Sequence, residues 1–232
     1  MHHDFIVSQW NTWPPLQGDK NEAPYCNKAL LSSVPKMLKR RLTPLAKTVF
    51  CAANQCIAEN QSMPVVFSSS HGELAKSFAM MEMIEAGEEI SPTAFSLSVH
   101  NAIAGLFSIA YNNKLQSSVV APGEEGIAAA FIEAIGLLDE GDSQVLLVFY
   151  DEPLVAFYPS APFNLSTENS CALALRITKK GAGMPLRMCY SIEQGDGVEQ
   201  AVQIPLLIQF LSDKSQRLQL YSPRHSWCWE KI

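Results

Sequence analysis

The sequence predicts an α/β protein: one doubly wound, mostly parallel sheet with helices on both faces, followed by a short C-terminal α+β extension. Three observations carry this. Apolar residues make up 47% of the 232, enough for a sizeable core. Two short apolar runs, Pro64 to Ser68 and Ser143 to Tyr150, have the length and the bounding turn residues of strands buried on both faces. Each stands beside stretches with the apolar period of amphipathic helices, and strands alternating with helices build parallel sheets.

Taken in order, Asp4 to Trp10 is rich in β-favouring residues and runs into Asn11-Thr12-Trp13-Pro14-Pro15, which stops regular structure, so it predicts a first strand. Leu16 to Val34 is polar and without an apolar period, and reads as a loop or a surface arm. From Pro35 onward, Leu38, Leu42, Leu45, Ala46, Val49, Ala53, Cys56 and Ile57 fall on one face of a long helix. The other face carries Lys36, Lys39, Arg40, Arg41 and Lys47, either a solvated surface or a contact for an acidic partner such as a carrier protein. After the strand at 64–68, Ser69-Ser70-His71-Gly72-Glu73 leads into Leu74, Phe78, Met81 and Ile84, a helix face that Gly87 ends.

Ser96 to Tyr111 predicts a helix of small apolar residues, buried on several sides. It is either a core helix or the lining of an apolar channel or subunit interface. A strand from Ser117 to Ala121 then feeds the turn Ala121-Pro122-Gly123-Glu124-Glu125-Gly126, and Ile127, Ala130, Phe131, Ala134, Ile135 and Leu138 form the next helix face. A strand, a sharp turn and a helix N-terminus are where an α/β enzyme presents a nucleophile. This turn contains neither Cys nor Ser. Asp151-Glu152-Pro153 ends the strand at 143–150, and Cys171 to Thr178 reads as a strand that is antiparallel or at an edge. Beyond it, Met184 to Ile192 reads as a strand, Val202 to Leu211 as a short helix, and Arg217 to Trp229 as a strand or tail. Trp227-Cys228-Trp229 requires burial by its own domain or by another chain.

Net charge of −6 with no long charge run argues against nucleic acid, and neither zinc-type Cys spacing nor an aromatic RNA-binding signature offsets it. No metal and no cofactor are expected. Cys26, Cys51, Cys56, Cys171, Cys189 and Cys228 are irregularly spaced in apolar surroundings, which suits reduced thiols and a cytoplasmic location. No secretory signal pattern opens the chain, and no apolar run approaches the roughly 20 residues of a membrane span. Ser70-His71 at a strand's C-terminal edge raises a hydrolase reading. The pattern G-x-S-x-G is absent, and a capping serine beside a hydrogen-bonded histidine explains the same residues.

Four stretches carry a resemblance: Lys39-Arg40-Arg41-Leu42-Thr43, Phe67 to Glu73, the run Ser91-Pro92-Thr93-Ala94-Phe95-Ser96-Leu97-Ser98-Val99-His100-Asn101-Ala102-Ile103-Ala104-Gly105, and Tyr150 to Leu154. Through them the chain resembles the N-terminal half of the β-ketoacyl synthases over roughly Phe5 to Thr178, and more narrowly the short chain-length factors of aryl polyene biosynthesis clusters. The resemblance implies a truncated thiolase-like fold, with residues 1–180 as the ketosynthase-like domain and 181–232 as an extension packing on that domain or on a partner. In active members a Cys attacks the acyl thioester from the turn that here runs from Ala121 to Gly126. Its place falls at Gly123 or Glu124, neither of which can form a thioester. The family's remaining catalytic histidines belong to a C-terminal half, and past residue 100 the chain offers only His225.

The role so implied is a non-catalytic subunit that pairs with a full-length catalytic ketosynthase and works on chains carried by an acyl carrier protein. Leu115, Gln116, Ser117, Ser118, Val119, Val120 and Ala121 would form the dimer-interface strand. Phe95, Val99, Ile103, Leu106 and Phe107 would wall the partner's acyl tunnel and set product length by exclusion. His100 and Asn101 read as hydrogen-bonding groups that hold the backbone, and Lys36, Lys39, Arg40 and Arg41 as a contact for the carrier protein. Two rival readings are a stand-alone acyltransferase or hydrolase using Ser70, His71 or Cys171, and a carrier-binding scaffold acting through the basic cluster.

Overall fold

The structure is a computed structural model that describes residues 2–15, 31–32, 34–57, 61–157, 170–192 and 203–232. Its frame is a single eight-stranded sheet. In chain order the strands are β1 (His2–Trp13), β2 (Val65–Ser68), β3 (Ser117–Val120), β4 (Gln144–Asp151), β5 (Cys171–Thr178), β6 (Met184–Ser191), β7 (Arg217–Tyr221) and β8 (Ser226–Lys231). In space they run β3-β2-β4-β5-β1-β6-β8-β7. The helices are α1 (Lys36–Lys39), α2 (Pro44–Asn54), α3 (Leu74–Glu85), α4 (Pro92–Ser96), α5 (Ala102–Ala110), α6 (Ile127–Glu140) and α7 (Gln203–Ser212).

Side chains of a strand alternate between faces, so β4 and β5 each feed two cores. Val145, Leu147 and Phe149 join Leu173, Leu175, Ile177, α6 and α7 on one face. Leu146, Val148 and Tyr150 join Ala172, Ala174, α2 and α5 on the other. The expected α/β fold with helices on both faces is therefore present.

Its expected mostly parallel character is not. Among the described residues only β2 with β3 and β2 with β4 run parallel, while the five other strand pairs are antiparallel. Parallel neighbours need a crossover of a dozen or more residues. The link between β7 and β8 (222–225) is too short for that, so those two strands turn back on each other, while β5 and β6 each run antiparallel to β1, which lies between them. The expected strand or tail at 217–229 is accordingly a hairpin, β7 with β8.

The helix predicted from Pro35 is broken, and the one predicted from Ser96 begins only at Ala102, after a separate short helix. Thr43 caps α2, its hydroxyl accepting from Ala46 N at 3.0 Å, and Pro44 sits at the first helical position, so the helix read from Pro35 restarts there. Ser91 caps α4 in the same way, accepting from Ala94 N at 3.0 Å with Pro92 behind it. The hydroxyls of Ser96 and Ser98 then donate to the carbonyls of Thr93 and Phe95, which ends α4 before α5 begins at Ala102. β1 is longer than the run Asp4 to Trp10 and lies inside the sheet. Most of the arm read at 16–34 lies outside the described residues. Among the described cysteines, Cys56, Cys171, Cys189 and Cys228 are free, as expected, whereas Cys51 is disulfide-bonded. Among the described residues no helix is long and apolar enough to cross a membrane, and no group of three or more His, Cys, Asp or Glu is placed to hold a metal ion.

Candidate functional site

The turn from Ala121 to Gly126 joins β3 to α6 at the parallel end of the sheet. Gly123 to Glu125 forms a single 3-10 turn, and Gly123 and Gly126 take φ values of 54° and 57°, which favour glycine. What lies over the turn comes from the far end of the chain. The buried Gln203, first residue of α7, accepts a hydrogen bond on Oε1 from Ile127 N at 2.9 Å. A Cβ at Gly126 would collide with that same amide. The first free N–H of α6, the kind of donor that stabilises an anion at a helix N-terminus, is thereby already engaged.

Beside it, the Glu125 carboxylate accepts from Trp227 Nε1 at 2.7 Å and from the Ser222 hydroxyl at 3.1 Å on Oε2, and meets His225 Nδ1 at 3.1 Å on Oε1. Burial pushes the Glu125 carboxyl up, but the bonds from Trp227, His225 and Ser222 together outweigh it and hold the group below its ordinary value. The His225 ring packs among Tyr190 and Trp227, with centroids 5.8 and 5.7 Å away. The turn that should present a nucleophile is thus closed over by the β7–β8 hairpin and α7. Sequence reasoning missed Gln203, Ser222 and Glu125 as site residues. The one available signal was Trp227-Cys228-Trp229 near the terminus, because a buried indole N–H needs an acceptor.

The four stretches quoted above converge on the loop Ser69–Glu73. Asp151 Oδ1 accepts from the Ser69 hydroxyl at 2.8 Å, Ser70 N at 2.9 Å and His71 N at 3.3 Å. Burial still pushes Asp151 up to about 6, and Glu152, desolvated and beside Glu73, up to about 7. Thr43 Oγ1 donates to Glu73 at 2.6 Å. The ring of His100 lies against Gly72, where φ is 57° and a Cβ would strike the imidazole. These contacts make the loop a structural hub. His71 is held below its ordinary pKa by desolvation and by His100, and its buried Nε2 has no hydrogen-bond partner among the described residues. The Cys171 thiol is pushed up to about 11 by burial and by Asp151, the opposite of what a nucleophile requires.

The wall candidates separate into two groups. Ile103, Leu106 and Phe107 are buried in α5, with the Phe107 ring 5.5 Å from Phe50, 5.3 Å from Phe67 and 4.5 Å from Tyr111. Phe95 in α4 and Val99 after it are 62% and 40% exposed, so they alone of the five face away from this chain's core. Leu115 to Ala121 spans β3, which lies at the sheet edge with β2 as its one neighbour. Lys36 and Lys39 lie in α1, with Arg40 and Arg41 just beyond, and all but the half-buried Lys39 are exposed.

This sheet, with α6 springing from a turn at the end of its parallel strands, defines a thiolase-like α/β protein. The chain belongs to the β-ketoacyl synthase family, matching the family model described as β-ketoacyl synthase, N-terminal domain, over residues 9–230. Among solved structures it superposes on the ketosynthase ApeO in complex with its chain length factor ApeC from Xenorhabdus doucetiae, with a TM-score of 0.75 and 24% identity, covering 99% of this chain and 100% of that one. The AntDE:AntF complex, a type II acyl-carrier protein with its ketosynthase bound to the hexaketide, gives a TM-score of 0.59 at 11% identity, with 100% of both chains covered. The ishigamide ketosynthase/chain length factor gives 0.54 at 12%, covering 82% of this chain and 68% of that one. At these identities the likeness establishes the fold. A comparison with curated protein sequences gave no match.

Proposed function

We propose that the chain is a non-catalytic, chain-length-factor-like subunit of a heterodimeric β-ketoacyl synthase in type II fatty-acid or polyketide biosynthesis, of the aryl polyene kind. The observation that carries this is the turn at 121–126. It holds no Cys or Ser, its helix amide is engaged by Gln203, and its Glu125 is bound by the C-terminal hairpin. A condensing enzyme needs a thiolate at that helix N-terminus to take the acyl chain, and this turn has no thiol and its Ile127 amide is taken by Gln203.

The partner is a full-length catalytic ketosynthase, which supplies the chemistry on chains delivered by an acyl carrier protein. β3 is the edge that meets it, since its outward backbone groups await a strand. Phe95 and Val99 are the side chains free to reach the partner's tunnel, where an added chain unit meeting them would cost about 1 to 3 kcal/mol of overpacking. The basic cluster at 36–41 is the contact for the carrier protein. The rival enzyme reading has less behind it: Ser70 and His71 are committed to Asp151 through their backbones, and the Cys171 thiol is held protonated.

The test is co-expression with cognate full-length ketosynthases, followed by gel filtration and incubation with an acyl thioester. A one-to-one complex acylated on the ketosynthase alone is expected. A monomer indifferent to cognate ketosynthases, or an acyl adduct on Ser70 or Cys171 of this chain, would overturn the assignment.

A further inference from the structure

Cys189 in β6 and Cys228 in β8 are register partners, directly opposite each other in an antiparallel pair. The neighbouring pairs, Met188 with Trp229 and Tyr190 with Trp227, turn towards α6, where Met188, Trp227 and Trp229 join the core. By alternation the two cysteines share the opposite face. That face carries α2 and α5 over the middle of the sheet, but among the described residues no side chain of β6, β7 or β8 belongs to its core. Both thiols are free, and Cys189 lies close enough to help push the Cys228 thiol up, while Cys228 Sγ donates to Glu230 Oε1 at 3.6 Å. Opposed residues in an antiparallel pair have Cα atoms about 4.5 to 5.5 Å apart, inside the range a disulfide spans without moving the backbone.

We propose that Cys189 and Cys228 form a reversible cross-strand disulfide that staples β8 to β6. The oxidant is a small-molecule disulfide such as oxidised glutathione. The half-buried Cys189 attacks it as the thiolate, expelling one thiol and leaving a mixed disulfide. Cys228 then gives up its proton, attacks the Cys189 sulfur and expels the second thiol. Two protein thiols lose two protons and two electrons, and the oxidant disulfide is reduced to two thiols. Burial pushes the Cys228 thiol up to about 12, so it takes the second step, in which the target is already held against it. The Arg217 guanidinium beside it works against that burial and favours the thiolate.

The staple acts on the hairpin that closes the turn. Trp227, whose indole is bonded to Glu125, is the residue before Cys228. Oxidation therefore fixes β8 covalently one residue from that contact, and reduction leaves it to hydrogen bonds and packing.

The full chain, equilibrated with either oxidised or reduced glutathione, is digested with trypsin without reductant and analysed by mass spectrometry. After oxidation the peptides Met188–Lys214 and His225–Lys231 should be joined, lighter by the ~2 Da of two hydrogens than their sum. Reductant or Cys189→Ser, a change at the half-buried partner, should abolish the link. The oxidised protein should also melt at a higher temperature than the reduced one. A glutathione adduct confined to Cys189, or both thiols still open to alkylation at equilibrium, would overturn the proposal.

Discussion

Glu125 occupies a turn built for a nucleophile and is an acceptor instead, with Trp227, Ser222 and His225 arranged around one carboxylate. Glu125→Ala strands the buried Trp227 indole and should destabilise the chain by about 1 to 3 kcal/mol. The pH dependence has a definite sign. The folded pKa of Glu125 lies below the ordinary value of 4.5, so its contribution is complete above that value and is lost as pH falls through the lowered one. Asp151, raised to about 6, acts oppositely, its cost growing as pH rises towards 6. Denaturant midpoints of wild type and Glu125→Ala across pH 3 to 7 should therefore converge at the acid end while the Asp151 slope stays common to both. Parallel curves would show that the carboxylate contributes nothing. Of this residue-scale picture the sequence shows the turn and its lack of a nucleophile. Gln203 and Trp227 are 76 and 102 positions from their partners, and no local pattern signals contacts of that span.

At the scale of elements, β3 is the most consequential. Val65 N donates to Gln116 O at 3.0 Å and Ser69 N to Val120 O at 3.2 Å, so the backbones of 116, 118 and 120 turn towards β2 and those of 117 and 119 turn outward. Val119→Pro deletes an outward N–H and spares the inward ladder, the one arrangement in which a strand tolerates proline. The variant should fold, with a circular dichroism spectrum like wild type, and fail to co-elute with the ketosynthase. A complex that assembles undiminished would remove β3 from the interface. The strands were legible as short apolar runs between turn residues, as at 65–68 and 144–151. The break in the helix read from Pro35 was legible too, in Thr43-Pro44, but a continuous apolar period concealed it. The antiparallel half was hidden for another reason: periodicity identifies a strand and does not say which neighbour it takes.

The described strands form one sheet, and those of residues 184–191 and 217–231 are part of it. They are β6, β8 and β7, beyond β1, and α7 adds the side chains Ile204, Leu207, Phe210 and Leu211 to one core. Removing them uncovers one side of β1 and the core around Phe5 and Phe131, whose rings are 5.7 Å apart. A chain ended at residue 180 should be insoluble, or lose its near-ultraviolet dichroism while keeping helical signal. A soluble fragment that melts cooperatively would count against this.

The position of β1 also bears on how the chain comes into being. Its two neighbours are β5 and β6, drawn from residues 171–178 and 184–189. β1 therefore remains unpaired until synthesis has reached β5, with Phe5 and Val7 uncovered meanwhile. Synthesis close to a subunit that can shelter the half-built sheet would shorten that exposure.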